Sequence, residues 1–120
     1  MDFATRTSRD ASRVPPRTVV AVHGELDLES GPRLRDFLAT ELTQLDGGTG
    51  ELVLDLAGVT FCDSSGLQAL ISTVRRARLL SRRLVLVVTP DGRLARLFDL
   101  AGVRDLFEVV SPDAWASQSA

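Results

Sequence analysis

The chain has 120 residues, a length that suits one domain. Hydrophobic residues make up 44% and charged residues 25%, enough for a buried core under an ordinary polar surface. A formal net charge of −2 leaves no footprint for direct nucleic-acid binding, and one cysteine excludes an internal disulfide framework or a cysteine-based metal cluster.

The first 17 residues are polar and end in Val14-Pro15-Pro16-Arg17. Met1–Arg13 lacks the apolar core of a secretory signal, and no apolar run approaches the ~20 residues of a membrane span. A cytoplasmic protein without membrane insertion is expected. Phe3–Arg6 can form a short edge strand. Thr18–His23 is a β-branched strand, and Gly24-Glu25-Leu26-Asp27 is predicted to be a loop. Ser30-Gly31-Pro32 starts a helix, with proline near the first helical position. Leu34, Phe37, Leu38, Leu42 and Leu45 form its apolar stripe, and Asp46–Gly50 ends it.

Glu51–Leu56 is the second strong strand, with contiguous apolar residues that predict burial on both faces. A second helix follows from about Ser65 to Leu80, with Leu67, Leu70, Ile71 and Val74 at helical spacing. Leu84–Val88 is a third strand. Pro90-Asp91-Gly92 turns the chain into a third helix, faced by Leu94, Leu97, Phe98 and Ala101 and closed by Gly102. Leu106–Val110 is a last strand. Ser111-Pro112-Asp113 caps a short helix holding Trp115, and the tail is expected to fray over residues 117–120. Alternating strands and helices define a layered α/β domain over residues 1–120, with its core at about 18–116.

Several patterns can be read for chemistry. Gly47-Gly48-Thr49-Gly50 precedes a strand and lacks the Gly-Lys-Ser/Thr ending of a phosphate loop. His23 is the only histidine, and Ser64 and Ser65 lie outside any Gly-x-Ser-x-Gly elbow, so a hydrolase triad finds no support. Cys62, between Phe61 and Asp63, reads as a small apolar filler. No pair of histidines or cysteines has metal-ligand spacing, so neither metal nor cofactor is expected. Asp55 and Asp63 bracket a strand-to-helix loop, but the absence of lysine argues against a phospho-aspartate receiver. Arg75, Arg76, Arg78, Arg82 and Arg83 form a basic stretch late in the second helix, read as a solvated face rather than a patch for an acidic partner. Asp63-Ser64-Ser65-Gly66-Leu67 opens that helix, where unpaired amides favour a cap, an anion or a phosphorylated serine.

Val22-His23-Gly24-Glu25-Leu26-Asp27 and the run from Leu52 to Leu67, ending in Asp-Ser-Ser-Gly-Leu, resemble the STAS domain of bacterial anti-sigma factor antagonists. The likeness extends from about Thr18 to Val110. It implies a mixed β-sheet of four to five strands with about four helices packed on it. It also implies partner binding rather than catalysis. The partner implied is an anti-sigma factor serine kinase, whose capture frees a sigma factor; phosphorylation at Ser64 ends the capture and a serine phosphatase restores it. The partner-binding surface so implied comprises Gly24, Glu25, Asp27, Asp63, Ser64, Ser65, Gly66 and Leu67. The alternative is a STAS subunit of a lipid-transport ABC complex or a stress-sensing complex, with the same fold and no cycle at Ser64.

Overall fold

Apolar runs that do not alternate, Leu52-Val53-Leu54 and Leu84 to Val88, occupy the middle of a five-stranded sheet covered on both faces. The computed structural model describes residues 3–10, 12, 14–44 and 50–119. Leu45 of the expected helical stripe and the Asp46–Thr49 turn lie outside them.

The elements are β1 (Phe3–Asp10), β2 (Arg17–Leu26), α1 (Ser30–Gln44), β3 (Glu51–Cys62), α2 (Ser64–Leu79), β4 (Arg83–Val87), α3 (Arg93–Ala101), β5 (Glu108–Val110) and α4 (Pro112–Ser119). A 3₁₀ turn at Arg104–Leu106 precedes β5. Spatial strand order follows the chain, β1-β2-β3-β4-β5. β1 is antiparallel to β2 and the remaining pairs are parallel. Helical crossovers make the parallel pairs, as the alternating sequence predicts.

The larger core lies between the sheet and helices α1, α2 and α3. Val20, Val22, Leu52, Leu54, Leu84 and Leu86 meet Leu34, Leu38, Leu42, Leu70, Val74, Leu94 and Phe98 there. The opposite face carries Val53, Val85 and Val87, with Val19, Val110 and Trp115 of α4 packed against them. One end of that face holds charges in a row. Arg17, Glu51 and Arg83 are cross-strand partners in register. Arg17 Nε donates to Glu51 at 2.5 Å, and Arg83 bridges Glu51 at 3.2 Å and Glu108 at 2.6 Å. The Arg17 guanidinium also lies 4.5 Å from the Trp115 ring centroid. That contact fastens α4 to the sheet.

Six local expectations need correction. β1 runs to Asp10, well past Arg6, because every residue pairs with β2, from Phe3↔Gly24 to Asp10↔Arg17. Gly24, Glu25 and Leu26 are strand rather than loop, and β3 continues from Leu56 to Cys62. Two register shifts, between Ala21 and His23 and between Gly24 and Glu25, let these stretches keep pairing where strict alternation fails. Gly24 carries φ 105°, a conformation that favours glycine. The last strand begins at Glu108, since Arg104–Leu106 is wound as 3₁₀. Ala101 is exposed, so Leu94, Ala95 and Phe98 form the buried face of α3. α4 stays helical to Ser119 instead of fraying at residue 117.

Candidate functional site

The ends of β2 and β3 and the starts of α1 and α2 meet at one edge of the molecule. Asp63 leaves β3 in extended conformation and caps α2: its Oδ1 accepts from the amides of Ser65 at 2.8 Å and Gly66 at 3.0 Å. Its own amide donates to Leu26 O at 3.1 Å, which ties the α2 start to the end of β2. The cap of α2 is therefore the aspartate, and Ser64 is the first helical residue. Ser64 is exposed, Ser65 half-buried, and Gly66 and Leu67 buried. Leu67 is 6% exposed and belongs to the core, so it anchors the helix from beneath.

Two glycines permit the close approach. A Cβ on Gly66 would lie 2.6 Å from Leu26 O and 2.8 Å from Cys62 Sγ. A Cβ on Gly31 would lie 3.0 Å from Ser65 O, so α1 also packs against the first turn of α2.

Asp27 performs for α1 the service that Asp63 performs for α2. Its Oδ1 accepts from the amides of Glu29 at 3.0 Å and Ser30 at 2.9 Å. Ser30 Oγ donates to Glu25 O at 2.6 Å and accepts from the Asp27 amide at 2.9 Å. The Ser30 amide bond is the main cause that lowers the Asp27 pKa, opposed by partial desolvation. The stability from this cap is present above the ordinary carboxylate range and is lost as pH falls through the lowered value. Glu25 sits beside this cap, and its Oε2 is buried without a hydrogen-bond partner among the described residues. Thr60 Oγ1 donates to Gly24 O at 3.2 Å and closes the pairing of β2 with β3.

The structure thus brings Gly24, Glu25, Asp27, Asp63, Ser64 and Ser65 to one edge, with Gly66 and Leu67 packed below. Among the described residues it joins no serine to a histidine by a hydrogen bond as a hydrolytic triad requires. The His23 ring lies over Gly58, where a Cβ would come within 2.3 Å of Nδ1, and among the described residues no hydrogen bond joins His23 to Ser64 or Ser65. Asp55 accepts from the Ala57 amide at 3.1 Å within its own strand and does not join Asp63. Cys62 is pushed up to about 12, first by burial and then by the Asp63 charge, so its thiol stays protonated at neutral pH. Among the described residues no three His, Cys, Asp or Glu side chains gather as a metal site requires.

Sequence reasoning missed a groove of about 450 Å³ between α1 and α2, lined by Leu28, Pro32, Arg35, Ser65, Gln68, Ala69, Ser72 and Arg75. Only helix pairing reveals it, since Leu28, Pro32 and Arg35 stand 30 residues or more along the chain from the rest of its wall. Leu28 stands at its mouth with 77% exposure. The basic stretch divides across the molecule. Arg75 lines this groove and Arg76 its narrower continuation, whereas Arg78 donates to Leu106 O at 2.9 Å and Arg83 joins the charge row on the other sheet face. Among the described residues no helix is long and apolar enough to cross a membrane.

Comparison with known proteins matches this arrangement. The family model described as Mlab, STAS domain, matches residues 10–110. An anti-sigma-B factor antagonist from Staphylococcus aureus is 33% identical over 90 residues, 75% of this chain and 80% of the relative. An anti-sigma factor antagonist from Mycobacterium paratuberculosis has a solved structure with TM-score 0.73 at 23% identity, over 97% of this chain and 93% of that one. The Bacillus cell fate determinant SpoIIAA, in its phosphorylated form, superposes with TM-score 0.65 at 19% identity, over 98% of this chain and 100% of that one. The sequence motifs, the mixed sheet and the sequence relatives agree: the chain belongs to the STAS-domain family of anti-sigma factor antagonists.

Proposed function

We propose that this chain is a cytoplasmic anti-sigma factor antagonist, a binding module and not an enzyme. It captures an anti-sigma factor that is also a serine kinase, frees a sigma factor, and lets go when the kinase phosphorylates Ser64. A serine phosphatase resets it. The observation that carries this reading is the exposed Ser64 hydroxyl, first residue of α2, held beside the Asp63 cap on an edge shared with Gly24, Glu25 and Asp27. The names of the relatives support the partner class.

The physical chemistry of the switch follows from that position. A phosphoserine adds about −1.5 to −2 charges. At the start of a helix that charge faces the positive end of the macrodipole, so the fold tolerates it. Against a partner, the same charge meets Asp27, Asp63 and Glu25 already in place. An unpaired charge trapped in the interface costs several kcal/mol, and each ~1.4 kcal/mol is tenfold in affinity.

The test uses ATP and the anti-sigma serine kinase from the same genome. Phosphate is expected on Ser64, and none on the Ser64→Ala variant, which keeps partner binding. Ser64→Glu is expected to melt like wild type and bind at least about tenfold more weakly. Phosphate on Ser65 alone, or equal affinity of wild type and Ser64→Glu, refutes the switch. Partner binding with no phosphorylation of Ser64 would instead favour a non-switching STAS subunit.

A further inference from the structure

We infer that the α1–α2 groove is the specificity-determining half of the docking surface, and that it takes an acidic segment of the anti-sigma factor along Arg35 and Arg75. The inference rests on the functional reading above and extends it from the serine to the seam of the two helices.

The groove begins at the switch, since Ser65 is part of its wall, and runs away from it along α2. Gln68, Ser72 and Arg75 follow Ser64 at helical spacing on one stripe. A narrower continuation is lined by Arg35, Asp36, Ala39, Ser72, Thr73 and Arg76. Charge is therefore polarised along this surface. Asp27, Asp63 and Glu25 lie at one end, and Arg35, Arg75 and Arg76 at the other. Among the described residues Asp36 is the only acid lining the basic end, and it already accepts from Arg35 Nε at 3.1 Å. Among the described residues neither Arg75 nor Arg76 is paired with a carboxylate.

The chemistry of this surface separates three occupants. A phosphate on Ser64 cannot reach Arg75, which lies eleven residues, or about 16 Å, along the helix axis. That separation exceeds the roughly 8 Å screening length of physiological salt, so Arg75 is not the clamp of its own phosphoserine. A second copy docking by a two-fold axis can set the acidic end of one groove against the basic end of the other, so sedimentation of the free chain separates it: a dimer that Arg75→Glu dissociates would overturn the proposal. An acidic partner segment satisfies the unpaired cations and covers Leu28 with an apolar residue. Arg35 and Arg75 would choose the partner, while Ser64 governs when it is held.

The proposal is tested by titration calorimetry of the unphosphorylated full chain against the anti-sigma factor from the same genome, at low and at physiological salt. Arg35→Glu and Arg75→Glu are each expected to weaken binding about tenfold or more, and Arg75→Gln by less. Both charge reversals should flatten the salt dependence while leaving the thermal melt unchanged, since both side chains are exposed. If wild type and the two reversals bind alike with the same salt dependence, the groove has no such role and the functional reading stands. If the wild-type chain binds no anti-sigma factor, both are overturned.

Discussion

Asp63 does two things that a single substitution can separate. Its carboxylate holds the amides of Ser65 and Gly66, and its charge sits beside the proposed acceptor Ser64. Asp63→Ala leaves two amides of the first turn without their cap and is expected to cost about 1 kcal/mol, the usual worth of such a cap. In a domain this size that is a fall of about 4 °C in Tm. Asp63→Asn keeps the acceptor oxygen and should recover most of that stability without recovering the charge. A thermal melt of the two variants checks the cap, and their phosphorylation rates isolate the charge. The division of labour between these neighbours was only half legible. Asp-Ser-Ser before an apolar periodic run announces a helix start, and any of the three side chains can serve as cap. Backbone geometry chooses the aspartate, and this leaves Ser64 facing solvent.

At the scale of elements, α2 reaches its place because Gly66 has no side chain. Alanine there gains about 1 kcal/mol in helix propensity. It also drives a Cβ to 2.6 Å from a backbone carbonyl, which cannot rotate aside. Overpacking of this kind costs about 1–3 kcal/mol, so the clash outweighs the propensity. Gly66→Ala is expected to be destabilising, by up to about 2 kcal/mol in urea titration, and to shift the α2 start away from Leu26. The strands show which parts of the fold a sequence exposes. Leu52-Val53-Leu54 and Leu84–Val88 announce central strands because burial on both faces suspends alternation. Gly24–Leu26 and Ala57–Cys62 look like loops because a positive-φ glycine and polar residues interrupt them, and two register shifts keep them paired regardless. The polar edge strand β1 is hidden for another reason. Its outer residues face solvent, so composition carries little of the signal and pairing with β2 supplies it.

Across the whole molecule, the row Arg17–Glu51–Arg83–Glu108 links β2 to β5 beneath α4. Glu51 is 1% exposed, and the Arg17 side chain is only 10% exposed. Glu51→Gln would leave the Arg17 charge without its closest counter-ion, and breaking a buried pair from one side costs about 3 kcal/mol. The variant is expected to lose that much in denaturant titration while its affinity for the partner is unchanged, because the row lies on the sheet face opposite α2. Charge alternation in four dispersed positions carries no local pattern, so this row, like the α1–α2 groove, becomes visible only once the strands are in register.

The placement of Trp115 has an optical consequence. It is the sole tryptophan, and the chain contains no tyrosine. Near-ultraviolet emission therefore comes from one ring, pressed between the valines of the far sheet face and the Arg17 guanidinium. The natural chromophore reports whether α4 is seated, and the thickness of the sheet shields it from events at Ser64. Emission at 295 nm excitation gives an unfolding signal that serves equally for the phosphorylated and unphosphorylated protein, so the two stabilities can be compared on one scale without a label.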